Sequence, residues 1–149
     1  MKPQHMTRLA CLTLVLLPAL QTPALAEVVK LAAQLTGADE IPPVTSTASG
    51  TFEGLYDTKS KRLSWTISYS GLSGPMTRVD LHGPADLGSH GLIRLRIPSG
   101  ASPMKGAAVL IKPSQRSFDE ELMKGLFYVN VHTKAHPDGE IRGQIKKEQ

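Results

Sequence analysis

The chain has 149 residues, of which 40% are hydrophobic and 20% are charged, so it has the size of one domain and a two-domain enzyme is excluded. Aromatic residues make up only 5%, while 13 Gly and 11 Pro divide the sequence into short segments, which excludes a long helical bundle. The 17 basic and 13 acidic residues leave a net charge of +4 without a basic stripe interleaved with aromatic residues, so nucleic acid is not expected as a partner.

Residues 1–26 have the pattern of a secretory signal peptide. Lys2 and Arg8 precede an apolar run from Leu9 to Leu20, and Ala24-Leu25-Ala26 supplies the small residues of a cleavage site. The apolar run is shorter than the ~20 residues that a membrane-spanning helix needs, so no retained membrane span is expected. We expect cleavage near Ala26, a mature domain of residues 27–149, and a periplasmic or secreted location.

The single cysteine, Cys11, lies inside the expected signal peptide. The mature domain would therefore contain no thiol. This excludes a catalytic cysteine, an iron–sulfur cluster, a disulfide and a thiolate metal site. Stability must then come from packing.

Short segments with alternating apolar and polar residues follow one another along the mature chain. The clearest is Arg62–Tyr69, in which Leu63, Trp65, Ile67 and Tyr69 share one face. Gly- and Pro-rich turns separate such segments, and Ser117–Lys124 is expected to add one helical turn. The pattern predicts an all-β fold, an antiparallel sandwich or barrel of about eight strands. The predicted strands are Val28–Leu35, Ser49–Tyr56, Arg62–Tyr69, Thr77–His82, Leu92–Ile97, Gly106–Ile111, Leu126–Thr133 and Glu140–Lys146.

Three of these strands carry polar residues on the face opposite their apolar side chains. Successive side chains of a strand point to opposite faces, so residues two apart share a face. If the three strands are neighbours, their polar residues converge on an outer surface covered by loops. The polar faces consist of Arg78, Asp80 and His82 in the first strand, Tyr128, Asn130 and His132 in the second, and Glu140, Arg142 and Gln144 in the third. The residues expected to converge are Asp80, His82, Asn130, His132 and Arg142.

A series of motifs in this order suggests a family. They are Leu35-Thr36-Gly37-Ala38-Asp39-Glu40-Ile41-Pro42-Pro43-Val44, Gly71-Leu72-Ser73-Gly74-Pro75, Leu81-His82-Gly83-Pro84-Ala85, Tyr128-Val129-Asn130-Val131-His132-Thr133 and Pro137-Asp138-Gly139-Glu140-Ile141-Arg142-Gly143-Gln144-Ile145. From about Val28 to Ile145 the chain resembles the CHRD domain, the module repeated in chordin and found singly in secreted bacterial proteins. The resemblance implies an immunoglobulin-like β-sandwich or barrel with a proposed distant similarity to copper/zinc superoxide dismutases. It implies no established activity.

The chain departs from the family pattern at one position. The family commonly has His-Ile-His-Gly-Pro where this chain has Asp80-Leu81-His82-Gly83-Pro84. Two histidines two residues apart on a strand form a natural metal clamp, because both point the same way. Asp80 can still bind zinc, but it binds copper less well than imidazole does, which argues against a dismutase-like copper site.

Asp80, His82 and His132 are the candidate metal ligands, for copper or zinc. They would supply three nitrogen or oxygen ligands and leave one position open. Alternatively, the two histidines hydrogen-bond loop backbone and hold the Gly83-Pro84 turn and the Lys134–Gly139 turn.

Several further residues are assigned supporting roles. Tyr128, Asn130, Glu140 and Arg142 are candidate ligand contacts or surrounding residues of the metal site. Arg142 is expected to form a structural ion pair with Glu140, Asp80 or Asp39, or to steer an anion. His90 and His136 lie in predicted loops, where exposure without a role is favoured over metal binding. Glu40-Ile41-Pro42-Pro43 is expected to form a rigid corner between sheets.

The first functional hypothesis is a non-enzymatic binding module for an extracellular or envelope protein or a small ligand. The second is an extracytoplasmic copper- or zinc-binding protein with its site around His82 and His132, and the third is a structural envelope component. Hydrolase chemistry is not expected, because the sequence has no Gly-x-Ser-x-Gly nucleophile elbow. A dismutase would need a four-histidine pattern that the sequence lacks.

Overall fold

Period-two alternation gives the chain its strands, and the computed structural model describes them over residues 27–110 and 118–148. A 3₁₀ helix, η1 (Gly37–Asp39), follows the first strand, and one short helix, α1 (Phe118–Met123), precedes the seventh. The strands are β1 (Val28–Thr36), β2 (Ser49–Asp57), β3 (Arg62–Ser70), β4 (Met76–His82), β5 (Ile93–Pro98), β6 (Met104–Val109), β7 (Tyr128–Thr133), β8 (Ile141–Gln144) and β9 (Lys146–Lys147).

All strand pairs are antiparallel and belong to one sheet with the order β5-β4-β7-β8-β1-β2-β3-β6, with β9 beside β1. The two edge strands, β5 and β6, follow each other in the chain, and the sheet curls into a half-barrel. The predicted all-β antiparallel sandwich or barrel is thus confirmed. In this sheet β7 lies between β4 and β8, which brings the three polar strands of the sequence together.

The concave side of the sheet is filled with apolar side chains. The predicted alternation in β3 is confirmed, since Leu63 and Ile67 are fully buried and Trp65 is 9% exposed. Side chains of β1, β2, β4, β7 and β8 complete this core, together with residues of α1. They include Leu31, Leu35, Phe52, Tyr56, Val79, Leu81, Leu122, Val129, Val131 and Ile141.

The end of the chain differs from the single strand predicted for Glu140–Lys146. Pairing stops after Gln144, and Lys146 begins the separate strand β9. Between them, the backbone N–H of Ile145 donates to the carbonyl of Phe127, and the Ile145 side chain is fully buried. Burial of this one side chain therefore turns the chain from β7 towards β1.

The predicted helical turn is present as α1. Asp119 accepts hydrogen bonds from the buried Tyr56 hydroxyl and from Lys61, which fix α1 against the sheet. Ser117, the predicted strand end at Ile111 and the expected signal peptide, residues 1–26, lie outside the described residues. In the part of the chain that the structure describes, no helix is long and apolar enough to cross a membrane.

Candidate metal centre

The central strands β4, β7 and β8 carry the candidate site on one face. Asn130 of β7 is paired with Asp80 of β4 on one side and with Arg142 of β8 on the other. One step along, Tyr128 is paired with His82, and in the other direction His132 is paired with Arg78. The strand register therefore confirms that the polar faces predicted from the sequence converge.

The loops predicted to cover this face are present, and they bury it almost completely. Asp80 is fully buried, Arg142 is 1% exposed and His132 is 3% exposed. The loop between β4 and β5, residues 83–92, and the loop between β7 and β8, residues 134–140, contact the polar side chains and cover them. The period of two distinguishes the two faces of a strand, but it cannot show that loops bury the polar one.

Asp80, His82 and His132 come together as a cluster. Their ligand atoms, one per residue, all lie within 4.8 Å of one another. Asp80 and His132 are buried and His82 is half-buried. Three potential metal ligands thus share one small volume near the middle of the sheet.

The two histidines use one ring nitrogen each to hold a loop. Nδ1 of His82 lies 3.0 Å from the carbonyl oxygen of Gly91, and Nδ1 of His132 lies 2.9 Å from that of Pro137. A carbonyl only accepts hydrogen bonds, so the contact with Gly91 assigns the proton of a neutral His82 ring to Nδ1. Nδ1 of His132 lies beside both an acceptor, the Pro137 carbonyl, and a donor, Nη2 of Arg78 at 3.3 Å. The Nε2 atoms of both rings are buried without a hydrogen-bond partner.

Burial lowers the pKa of both histidines. For His82 and His132 the loss of hydration outweighs the effect of the backbone hydrogen bond and of nearby Asp80, which raise the pKa. The positive charge of Arg78 lowers the pKa of His132 further. Both rings are therefore neutral at neutral pH, which is the form that binds a metal ion.

Asp80 is ionised between two arginines. Its Oδ2 accepts a hydrogen bond from Nε of Arg78 at 2.8 Å, and its Oδ1 accepts one from Nε of Arg96 at 3.2 Å. Burial alone would raise the pKa of Asp80, but the hydrogen bond from Arg78 and the surrounding positive charge hold it below its usual range. Nε2 of His132 lies 3.3 Å from Oδ2, yet the two atoms form no hydrogen bond.

Tyr128 orients His82. The two rings stack with centroids 4.7 Å apart and planes 2° from parallel. The Tyr128 hydroxyl accepts a hydrogen bond from the backbone N–H of Gly91, so the same loop residue is tied to both rings. The guanidinium of Arg142 lies 3.5 Å from the centre of the Tyr128 ring. It comes from β8, on the side away from His82.

Arg142 differs from the expectation of an ion pair with Glu140, Asp80 or Asp39. Its guanidinium stacks on Tyr128, and its Nη2 donates to the carbonyl of Ser89 at 2.7 Å. Arg142 thereby anchors the 83–92 loop over the cluster.

Glu140 is fully buried and binds loops instead of the histidine cluster. Its carboxylate accepts four hydrogen bonds, from the hydroxyls of Ser46, Ser73 and Thr133 and from the backbone N–H of Ser73. These bonds saturate both oxygens and make Glu140 an anchor for two loops. Of the two loop histidines, His90 is exposed and His136 is half-buried, and neither belongs to the cluster.

Three further residues, Arg78, Arg96 and Glu40, shape the site. Strand alternation placed Arg78 on the polar face of β4, and Glu40 was expected in a rigid corner, but none of the three was assigned a role in the site. Arg78 shares the polar face of β4 with Asp80, so its spacing was an available signal. Arg96 lies opposite Asp80 in β5, a pairing that only the sheet order reveals. Glu40 is 6% exposed and accepts a hydrogen bond from Asn130 at 3.4 Å. Glu40 lies outside any segment with strand periodicity, so no alternation pattern could have indicated its position near the site.

Glu40 is the most perturbed carboxyl group near the site. Burial raises its pKa to about 7, although the positive charge of Arg142 and the hydrogen bond from Asn130 act in the opposite direction. Its Oε1 and the Oδ1 of Asn130 are both buried without a hydrogen-bond partner. Gly139 packs against these two side chains, and a Cβ at that position would collide with both.

The fold and the cluster define an all-β domain with a loop-covered histidine–aspartate centre on its central strands. The chain belongs to the CHRD domain family, whose model matches residues 31–145. No curated protein and no solved structure matches the chain.

Proposed function

We propose that this CHRD domain is an exported, non-enzymatic metal-binding protein with Asp80, His82 and His132 as its ligands. One observation supports this proposal above all. Each of the three residues places one potential ligand atom, a ring nitrogen or a carboxylate oxygen, within 4.8 Å of the others, and Nε2 of both histidines is buried without a hydrogen-bond partner. A buried ring nitrogen without a hydrogen-bond partner is unfavourable, and one cation bound to both histidines would satisfy both of these nitrogen atoms.

The surroundings of the ligands support the same proposal. Metal-binding histidines commonly donate their second ring nitrogen to a carbonyl or carboxylate, which fixes the tautomer and the ring direction. His82 does so through the carbonyl of Gly91, and Nδ1 of His132 lies 2.9 Å from the carbonyl oxygen of Pro137. Stacking on Tyr128 holds the His82 ring before any ion arrives, so little side-chain entropy is lost on binding. Nitrogen and carboxylate ligands suit zinc and copper.

Metal titration of the exported protein tests the proposal. The chain is expressed with its own leader, purified, stripped with a chelator and titrated with Zn(II), Cu(II) and, under reducing anaerobic conditions, Cu(I). We expect about one equivalent of one of these ions to bind tightly. His82→Ala and His132→Ala should each weaken binding at least roughly tenfold, because each removes a ligand.

His90→Ala is the matched control, because His90 is exposed and lies outside the cluster. It should bind like the parent protein. Folded parent protein that binds none of the three ions would refute the metal-binding proposal, and so would equal binding by the two ligand variants and His90→Ala.

Capture of an envelope or extracellular protein is the second candidate function. The observation in its favour is the exposure of apolar side chains on and beside the loop that covers the cluster, since Leu87 is 68% and Leu92 72% exposed. Changing both to Ser should abolish partner capture without altering metal binding if this role holds. A cross-linking comparison of the parent and the double variant in whole cells measures it, and unchanged cross-linking would contradict it.

A further inference from the structure

We propose that Arg78 and Arg96 determine the specificity of this centre, and that they make it prefer a monovalent soft cation, Cu(I), to divalent ions. The inference rests on the proposed function and adds to it the charge of the ion that the site prefers.

The carboxylate at the centre is outnumbered by positive charge. Arg78 binds one oxygen of Asp80 and Arg96 binds the other. A histidine side chain carries no negative charge, so His82 and His132 do not offset the second guanidinium. Arg142 adds a third positive charge that acts on His82, and Glu40, whose pKa is about 7, offsets only part of it. The residues around the cluster therefore carry a net positive charge before any ion binds.

This surrounding penalises a divalent ion about twice as strongly as a monovalent one, because the Coulomb repulsion scales with the charge of the ion. Solvent screens exposed groups more than buried ones. The side chain of Arg78 is 33% exposed and that of Arg96 is 61% exposed. Arg78 should therefore contribute more of the discrimination than Arg96.

The donor atoms also suit a monovalent d¹⁰ ion. Such an ion is satisfied by two nitrogen ligands, whereas Zn(II) requires four ligands in a tetrahedron. Two metal–nitrogen bonds of ~2.0 Å separate their nitrogen atoms by at most ~4 Å. One ligand atom of each of the three residues lies within 4.8 Å of the others, so one ring nitrogen from each histidine needs little movement to bind a common ion. Asp80 can then act as the weakest of the three ligands and keep its hydrogen bonds to Arg78 and Arg96.

Competition between Ag(I) and Zn(II) tests the inference. Ag(I) is the probe for a monovalent d¹⁰ ion because it does not change oxidation state, and it is used in chloride-free buffer. The full chain, purified after export, is compared with Arg78→Gln, Arg96→Gln and Arg62→Gln. Arg62→Gln removes the same charge from an exposed position on β3, away from the cluster.

The parent protein should bind Ag(I) at least roughly tenfold more tightly than Zn(II). Arg78→Gln should shift this ratio towards Zn(II) by roughly tenfold or more, Arg96→Gln by a smaller factor, and Arg62→Gln not at all. Circular dichroism confirms that each variant is folded. If Arg78→Gln does not fold, the comparison of Arg96→Gln with Arg62→Gln decides. Competition with a Cu(I) chelator then extends the preference from Ag(I) to Cu(I).

Two results overturn the inference and leave the proposed function intact. One is a parent protein that binds Zn(II) more tightly than Ag(I) through His82 and His132. The other is an Ag(I)-to-Zn(II) ratio that is the same in the two test variants and in Arg62→Gln. A parent protein that binds neither ion, nor Cu(I), refutes the proposed function and the inference with it.

Discussion

The two faces of β7 are equally buried but are buried by different means. Val129 and Val131 point into the apolar core, while Asn130 and His132 lie on the opposite face with exposures of 5% and 3%. Apolar packing covers the first face. The second is covered by loops that polar side chains bind through hydrogen bonds, as His132 does with Pro137. Burial alone therefore does not distinguish the two faces.

The apolar face of β7 is therefore expected to contribute mainly to stability, and the polar face to loop closure and metal binding. On the apolar face, each side chain contributes through the area it removes from water. On the polar face, each buried group gains little net free energy from its hydrogen bonds but costs much when its partner is lost. We expect substitutions on the apolar face to lower stability at any pH and those on the polar face to change pH dependence, loop closure and metal binding.

Leu81→Ala should have the largest effect. Leu81 lies between Asp80 and His82 in β4, points into the core and is 2% exposed. Removing a buried leucine leaves a cavity, so the free energy of unfolding should fall by about 2–5 kcal/mol in urea denaturation. Metal stoichiometry of the folded variant should be unchanged, because its neighbours point to the other face. Loss of the metal site from the folded variant would contradict the proposed independence of the two faces.

Glu40→Gln should stabilise the protein at alkaline pH. The folded-state pKa of Glu40 is raised to about 7 from 4.5, mainly by burial. The folded protein therefore holds a proton that the unfolded chain releases, and stability falls as the pH rises from about 4.5 to 7. The neutral glutamine avoids this loss, so the variant should exceed the parent by up to roughly 3 kcal/mol at pH 8.

Urea denaturation at pH 5 and pH 8 measures the effect. The advantage of Glu40→Gln should shrink towards zero at pH 5, where Glu40 is mostly protonated in the folded protein. Glu53→Gln, an exposed carboxyl on β2, is the control and should show no such change. An advantage for Glu40→Gln that does not depend on pH would show that the charge of Glu40 is not its cause.

Glu140→Gln should destabilise the protein by about 1.5–3 kcal/mol at pH 7, because hydrogen bonds to a charged acceptor are lost or weakened. Burial would raise the pKa of Glu140, but the bonds from Ser46, Ser73 and Thr133 hold it below its usual value. Its stabilisation is therefore present above pH 4.5 and is lost as the pH falls through the folded-state pKa. Thermal unfolding from pH 3 to pH 7 should show the difference between parent and variant growing with pH.

Tyr128→Phe should have the smallest effect. The variant keeps the ring that stacks on His82 and Arg142 but removes the acceptor for the N–H of Gly91. One neutral hydrogen bond contributes about 1 kcal/mol, so the melting temperature should fall by only a few degrees. Amide exchange of Gly91 should accelerate more than that of Val131. Equal acceleration at both amides would indicate global destabilisation instead of local loop opening.

Strand periodicity predicts the residues of the candidate cluster but not the residues that contact them from other strands and loops. Asp80, His82 and His132 could be found from the sequence because each stands two residues from another polar group on a predictable face. Their neighbours were harder to find. Arg96 reaches Asp80 through the pairing of β4 with β5, and Glu40 reaches Asn130 from a proline-rich segment without alternation. Such contacts depend on sheet order and loop paths, which local patterns do not encode.

The sequence by itself determined the all-β class, most of the strands and the membership in the CHRD family, because alternation and motif order are local properties of the chain. Only the tertiary structure decided that the polar faces of β4, β7 and β8 are adjacent and that the predicted loop cover buries them almost completely. It also decided which histidine nitrogen faces the cluster and which arginines neutralise Asp80. Each of these depends on residues far apart in the chain, whose contacts arise only when the sheet has formed.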